Sequence, residues 1–292
     1  MGLFKLIKIE GQTAGPHLLV TAGIHGDEYE GVEAVKKLVS VIDPAGLAGT
    51  LSLVPVANES ASARRNRTGG DDLDLARVFP GRQDGTTTER VADELTPLIR
   101  EVDLYVDLHS GGFAMRIQPY VGYMLVDDDT VLATQRRMAM AFDLPVIWGT
   151  SSLLDGRSMS AARDAGVAAI YAEYEGGGAC SPEGVESYVA GCLNILAEFG
   201  MIEKRAAEGS SAPLVVEDPR PSSGHLQIHH RSPANGTFQS AVTLGEMVSE
   251  GDLLGTVDQI SIVAESTGLL LCLRANPVVN QGDSLGVVLE II

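Results

Sequence analysis

Where the apolar run His17 to Ala22 ends, Gly23-Ile24-His25-Gly26-Asp27-Glu28 sets a histidine and a glutamate three residues apart. An imidazole nitrogen and a carboxylate oxygen offered from one turn can meet at a single point. Two histidines and one glutamate are an established ligand set for a hydrolytic zinc ion, with a fourth position left for water. The third ligand must come from elsewhere in the chain. His109 supplies it: it closes the apolar run "DLYVDLH" and is followed by Ser110-Gly111-Gly112. Ligand sites in open α/β sheets lie beyond the carboxyl ends of neighbouring strands, so two such ends would bring His25, Glu28 and His109 together. Asp107 shares the strand face of His109 by the two-residue period, where it either orients the imidazole or is a solvated acid.

Hydrolysis at such a centre needs a carboxylate base. The segment "YAEYEGGG" offers Glu173 and Glu175, which the same period puts on one strand face. Two carboxylates this close would raise one pKa, which suits a group that takes a proton from water and returns it to a leaving amine. The glycines Gly176 to Gly178 lack the following Lys-Ser/Thr of a phosphate loop; their use is to let substrate approach the backbone.

The elements that must position these residues alternate. Short apolar runs at 17–22, 50–56, 103–109, 144–148 and 167–175 read as strands, and Val32, Val35, Leu38, Val39 and Ile42 recur at helical spacing directly after the His-Glu motif. This alternation predicts βα units and a largely parallel sheet over residues 1–208. The segment "AAEGSSAPLVVEDPRPSSG", rich in Ser, Pro, Ala and Gly, reads as a linker, and residues 209–292 as a second domain. Within that domain the chain nearly repeats itself: Gly236 matches Gly268, Val248 matches Val279, Gly251-Asp252 matches Gly282-Asp283, and Leu254-Gly255 matches Leu285-Gly286. Two such β units predict a small barrel or sandwich resembling the halves of biotinyl and lipoyl carriers. Those carriers are modified on a lysine between the halves, whereas Lys204 is the last lysine here, so the domain is expected to be unmodified and structural.

Four motifs, in order, carry a family resemblance: "GIHGDE", "ANESASARRNRTGGDDLDLARVFPG", "DLHSGG" and "AEYEGGG". Together they resemble the succinylglutamate desuccinylase/aspartoacylase family, distant relatives of zinc carboxypeptidases, over residues 17 to about 180; the appended β domain is also a family feature. The resemblance implies a zinc carboxypeptidase-like α/β fold, with a mixed, largely parallel sheet flanked by helices and a small C-terminal all-β domain. It implies one Zn2+ per chain on His25, Glu28 and His109, and Glu173 as the base, with Glu175 in the place of the family's first glycine. Arg67, nine residues after Asn58, matches the arginine that polarises the scissile carbonyl; Arg77 matches the one that pairs with a substrate carboxylate, and Asn58 belongs to the same substrate-binding segment. A guanidinium suits both tasks, being planar, forked and permanently charged. Arg163, ten residues before Glu173, matches a further substrate-binding arginine, unless it is spent on Asp164 beside it. Ala76 stands where the family usually has Asn, which alters the carboxylate end of the site. The implied reaction is hydrolysis of the amide bond of a small N-acylated amino acid. Within the family the closest likeness is to the N-acetyl-diaminobutyrate deacetylases. The alternatives are a carboxypeptidase acting on short peptides and an inactive homologue that only binds metal or ligand.

Bulk properties agree with a small-molecule enzyme. The 21 Lys and Arg against 39 Asp and Glu give a net charge of −18 over 292 residues, which repels phosphate backbones and anionic lipid. Neither nucleic acid nor membrane is an expected partner, and homo-oligomerisation stays open. No stretch is long and apolar enough to span a bilayer, and "MGLFKLIKIE" interrupts its apolar positions with lysines; a cytoplasmic location is expected. The three cysteines are widely spaced without CxxC pairing, which argues against disulfides and thiolate zinc. His225, His229 and His230 read as edge-strand residues, and Trp148 as core or pocket wall.

Overall fold

In the computed structural model, residues 2–204 and 212–291 are described. The sheet is built outward from β2 (Thr13–Ala22), with β3 (Ala48–Val54) and β4 (Leu104–His109) parallel on either side, and β7 (Ala168–Gly176) parallel to β4. The short β1 (Ile7–Glu10) closes one edge antiparallel to β3. On the other side β5 (Met115–Leu125) runs antiparallel to β7. β5 is a branch point: its second half pairs with β6 (Val146–Ser151), which is followed by β8 (Leu214–Glu217), both in parallel.

Alternation along the strands sorts side chains onto two helical layers. Leu18, Val20 and Ala22 pack with Val35 and Leu38 of α1 (Glu30–Val41), with Met138 and Phe142 of α4 (Asp129–Phe142), and with Tyr188 and Ile195 of α6 (Pro182–Glu198). Leu19 and Tyr105 face the opposite layer, Leu95 and Ile99 of α3 (Thr87–Arg100) and Met159 and Ala162 of α5 (Ser158–Ala165). The short α2 (Glu59–Arg64) follows β3. Helix α1 begins where the apolar spacing predicts, but Val39 is 36% exposed and Ala34 takes the inward position.

The C-terminal strands form two sets. β9 (Gly236–Ser240), β11 (Leu253–Val257), β12 (Ile260–Val263) and β14 (Val278–Val279) make a separate antiparallel sheet in the order β12-β11-β9-β14. β10 (Met247–Val248), β13 (Gly268–Arg274) and β15 (Gly286–Glu290) instead join the large sheet, because β13 pairs with the first residues of β5, Cys272 opposite Ile117. The internal repeat has a physical counterpart. Gly251 and Gly282 both adopt positive φ, 88° and 92°, and the next residue in each turn caps it: Asp252 accepts from Ser249 N and Asp283 from Asn280 N. Val248, Leu254, Val279 and Leu285 share one apolar cluster.

Two expectations change. Leu214–Glu217, read as part of a linker, is a strand of the large sheet; residues 206–211 of that linker lie outside the described residues. β5 has no counterpart among the predicted strands, since Pro119 interrupts it; the strand accommodates the proline at a register shift between Ile117 and Tyr120. No helix among the described residues is long and apolar enough to cross a membrane. His230 is a satisfied core residue: Nδ1 donates to Gly286 O and Nε2 accepts from Glu265 N.

Candidate active site

β2, β4 and β7 end side by side, and the cavity of about 410 Å³ opens beyond their carboxyl ends. The chain leaves β2 through Gly23, whose φ of +64° is costly for other residues. Three residues later a Cβ on Gly26 would lie 2.0 Å from the Ala61 backbone, so glycine there lets the 23–28 turn rest against α2. This turn presents His25 and Glu28 before α1 begins, and His109 arrives as the last residue of β4.

The three side chains converge. His25 Nδ1 is 2.6 Å from Glu28 Oε1, His109 Nδ1 is 3.0 Å from Glu28 Oε2, and one donor atom from each residue falls within 4.8 Å of the others. Each imidazole turns its other nitrogen to a carboxylate: His25 Nε2 is 3.0 Å from Asp74 Oδ1 and His109 Nε2 is 3.2 Å from Asp107 Oδ2. Asp107 is wholly buried and is itself fixed by hydroxyl donors, Thr21 at 2.7 Å and Ser158 at 2.5 Å, so it orients the imidazole and is not a solvated acid. Asp74 caps the turn Leu75–Arg77 through Ala76 N and accepts from Arg67 Nε at 2.9 Å.

Electrostatics follow from this packing. Burial opposes the charge on Glu28, but His25 and His109 outweigh it and hold the carboxyl well below its usual range. Burial likewise works against Asp74, and the His25 hydrogen bond and Arg67 reverse it. For His109 burial favours the neutral ring, while Asp107 and Glu28 raise its pKa well above the ordinary value. A pair of imidazoles and a carboxylate, buried, convergent, and each imidazole held from behind by a carboxylate, are residues that fit a metal ion such as zinc.

Glu173 lines the same cavity at 8% exposure, and its Oε2 has no hydrogen-bond partner among the described residues. Burial, aided by Glu28 and Asp107 and opposed by His109 and Arg67, raises its pKa to about 8. Glu175 does not share this environment. It has a positive φ of 41° and is exposed, opposite the irregular part of β5, so strand alternation fails at this point. The lifted pKa of Glu173 therefore owes most to burial, and not to a pairing with Glu175.

Arg67 and Arg77 both line the cavity. Arg67 is anchored through Nε on Asp74, with Nη1 3.8 Å from Glu28 Oε1. Arg77 donates from Nη1 to Ala76 O at 2.7 Å and from Nη2 to Gln227 Oε1 at 2.9 Å. Burial, reinforced by Arg157 and Arg67 and only partly offset by Asp74, lowers Arg77 to about 10. Ala76 is buried beside it in the cavity wall.

Two expected contacts are not brought to the cavity. Arg163 does not line it; its nitrogens are engaged by Asp155 and Asp164, and by Ser152 O. Asn58 is buried outside the lining and caps α2, its Oδ1 accepting from Ala61 N at 3.0 Å. Arg157 lines the cavity instead, six residues before Arg163, and forms no ion pair with a carboxylate among the described residues. Burial lowers its pKa, with Arg67 adding to the effect. Asp74 and Arg157 were both missed from sequence. Asp74 had a signal, as the first residue of the "DLAR" that also holds Arg77.

A central parallel sheet whose strand ends carry a His-Glu-His cluster, a buried carboxylate and cavity-facing guanidinium groups has the make-up of a carboxypeptidase-like hydrolase. Residues 14–199 match the succinylglutamate desuccinylase/aspartoacylase catalytic domain, and the chain belongs to that family. It is 32% identical to the N-alpha-acetyl-L-2,4-diaminobutyric acid deacetylase of Halomonas elongata, over 95% of this chain and 83% of that protein. Among solved structures it is similar to the product-bound ectoine utilization protein EutE (DoeB) of Ruegeria pomeroyi, at 30% identity and a TM-score of 0.87 over 97% of this chain and 87% of that one. It is also similar to a succinylglutamate desuccinylase from Silicibacter sp., at 28% identity and a TM-score of 0.86 over 98% and 88% of the two chains.

Proposed function

We propose that the protein is a zinc-dependent deacylase that hydrolyses the amide bond of a small N-acylated amino acid, with an Nα-acetyl-diamino acid as the first substrate to test. One observation carries this: His25, Glu28 and His109 converge in the same cavity as the buried carboxyl of Glu173. The names of the relatives at 32% and 30% identity support the acetyl-diaminobutyrate substrate class.

When bound by His25, Glu28 and His109, zinc supplies Lewis acidity toward the acyl carbonyl and the attacking water. Glu173 takes the proton of that water and delivers it to the departing amine, a role matched by a carboxyl lifted to about 8. Arg67, braced by Asp74, offers its remaining N–H groups to the negative charge that develops on the carbonyl oxygen. Arg77 and Arg157 bind the substrate carboxylate and so fix which bond faces Glu173. Arg163 and Asn58 take no part in this scheme, since neither lines the cavity: Arg163 is held by Asp155 and Asp164, and Asn58 caps α2 through Oδ1.

The test is a panel. The zinc-loaded protein is assayed for amine release from Nα-acetyl-2,4-diaminobutyrate, N-acetylaspartate, N-succinylglutamate and N-formyl amino acids. Release from the first is expected, and a protein that binds stoichiometric zinc but releases amine from none would refute the proposal.

A further inference from the structure

Arg77 links the cavity wall to the C-terminal part of the chain. Its Nη1 is held locally by Ala76 O, but its Nη2 donates to Gln227 Oε1 at 2.9 Å, 150 residues further on. Gln227 lies in the irregular segment after β8, and Gly224, Leu226 and Gln227 all line the cavity. This segment is tied down on either side of Gln227. Before it, Ser223 Oγ accepts from Ser151 N at 2.7 Å and Leu226 packs against the cluster containing Trp148; Ser284 Oγ lies 3.0 Å from Leu226 O and, beyond Gln227, 3.1 Å from His229 O. Gln227 itself is exposed, and Arg77 is its hydrogen-bonded partner.

We infer that Gln227 is a specificity-determining residue, a neutral latch on the guanidinium that the substrate carboxylate must use. This rests on the carboxylate-bearing substrate proposed above. Arg77 stands near Arg67 and Arg157 as well as Asp74, and the neutral amide oxygen of Gln227 adds no negative charge to that group. A carboxylate does, and hydrogen bonds between ionised groups are about twice as strong as neutral ones and guanidinium binds carboxylate through two parallel N–H donors. Entry of an anionic substrate therefore releases Gln227 from Nη2. A substrate lacking the carboxylate leaves the latch closed. Selection for the carboxylate is thus built from Arg77 in the catalytic unit and Gln227 in the C-terminal part.

Binding, measured without turnover, tests this separately from the deacylase activity. Zinc-loaded protein in a Glu173→Gln background is titrated by calorimetry with N-acetylglycine and with N-acetylglycinamide, which lacks the carboxylate. Gln227→Ala and Gln227→Ser should each tighten N-acetylglycine binding about three- to tenfold, the equivalent of one competing hydrogen bond. Gln227→Glu, which gives Arg77 a permanent carboxylate partner, should weaken it at least about tenfold. N-acetylglycinamide should respond to none of the three. Weaker N-acetylglycine binding in Gln227→Ala, equal affinities in all variants, or equal responses of acid and amide would each overturn the inference.

Discussion

His109 and Glu173 are register partners on adjacent parallel strands, the last pair in the β4–β7 ladder. Neighbouring strands lie about 4.8 Å apart, so the sheet itself sets the spacing between a proposed metal ligand and the proposed base. On the other side of β4, Ala22 pairs with Leu108, and the turn carrying His25 and Glu28 follows at once. Three consecutive strand ends thus deliver the cluster, and its geometry is fixed by backbone hydrogen bonds. The loops that follow need only fold back over it.

The first prediction separates the two carboxylates of β7. Glu173 is buried in the cavity with an unpartnered Oε2, while Glu175 is exposed and does not line the cavity. Glu173→Gln should lower kcat by about 10²- to 10⁴-fold, the usual contribution of a general base, and retain zinc, since the ligand residues are untouched. Glu175→Gln should keep wild-type turnover. Steady-state kinetics with metal analysis of both variants checks this; loss of activity in Glu175→Gln alone would reverse the assignment.

Metal removal gives the second. Dialysis against a chelator should abolish activity, and stoichiometric zinc should restore it. His109→Ala should fail to retain zinc, and Asp107→Asn should weaken zinc binding by about 10- to 100-fold, because the carboxylate behind His109 sets its tautomer and basicity. Affinity should also fall as the pH is lowered, since zinc competes with protons for an imidazole whose pKa Asp107 and Glu28 raise. Competition titrations with a zinc-binding dye at several pH values measure all three effects.

How far the sequence discloses this site depends on how local each signal is. His25, Glu28 and His109 are legible because ligand chemistry and strand ends constrain them from two sides. Glu173 is legible only in part: period-two alternation treats Glu175 as its equal, and the distinction comes from the irregular pairing of β5 with β7, where Pro119 lies. β5 itself is hidden by that proline, as its neighbours β13 and β7 are distant in sequence. Spacing to Glu173 points to Arg163, yet the first turn of α5 puts Arg157 in the cavity and leaves Arg163 on Asp155 and Asp164. Asn58 looks like a substrate contact because it opens the arginine motif, whereas its side chain closes the first turn of α2. In each case the residue type is informative and the direction of the side chain is set by tertiary contacts.

The third prediction follows from that arginine exchange. Arg157→Ala should raise KM for a carboxylate-bearing substrate by about 10- to 100-fold, the loss of one charged hydrogen-bonding group, and should leave KM for the corresponding amide nearly unchanged. Arg163→Ala should alter neither by more than about twofold. It should lower the unfolding temperature instead, since it removes the cation between Asp155 and Asp164. Comparable KM increases in both variants would return Arg163 to the substrate site.

The last prediction concerns pH and the loop that carries Asp74. Three residues before it, Asp71 accepts from Thr88 N at 2.8 Å and from Thr88 Oγ1 at 2.7 Å, pinning the loop to the first turn of α3. Burial works against its charge, but the hydrogen bonds from Thr88, with those from Thr86 and Leu73, together prevail and lower its pKa to about 2. The folded value lies below the unfolded value of about 3.9, so this contribution is complete above about pH 5 and is lost as the pH falls toward 2. Asp71→Ala should therefore destabilise the protein by about 1 kcal/mol at pH 7, and the gap from wild type should shrink steadily below about pH 4. Urea unfolding of both proteins between pH 7 and pH 3 measures it. A gap that stays constant across that range would show that the Asp71 carboxylate is not what holds the loop to α3.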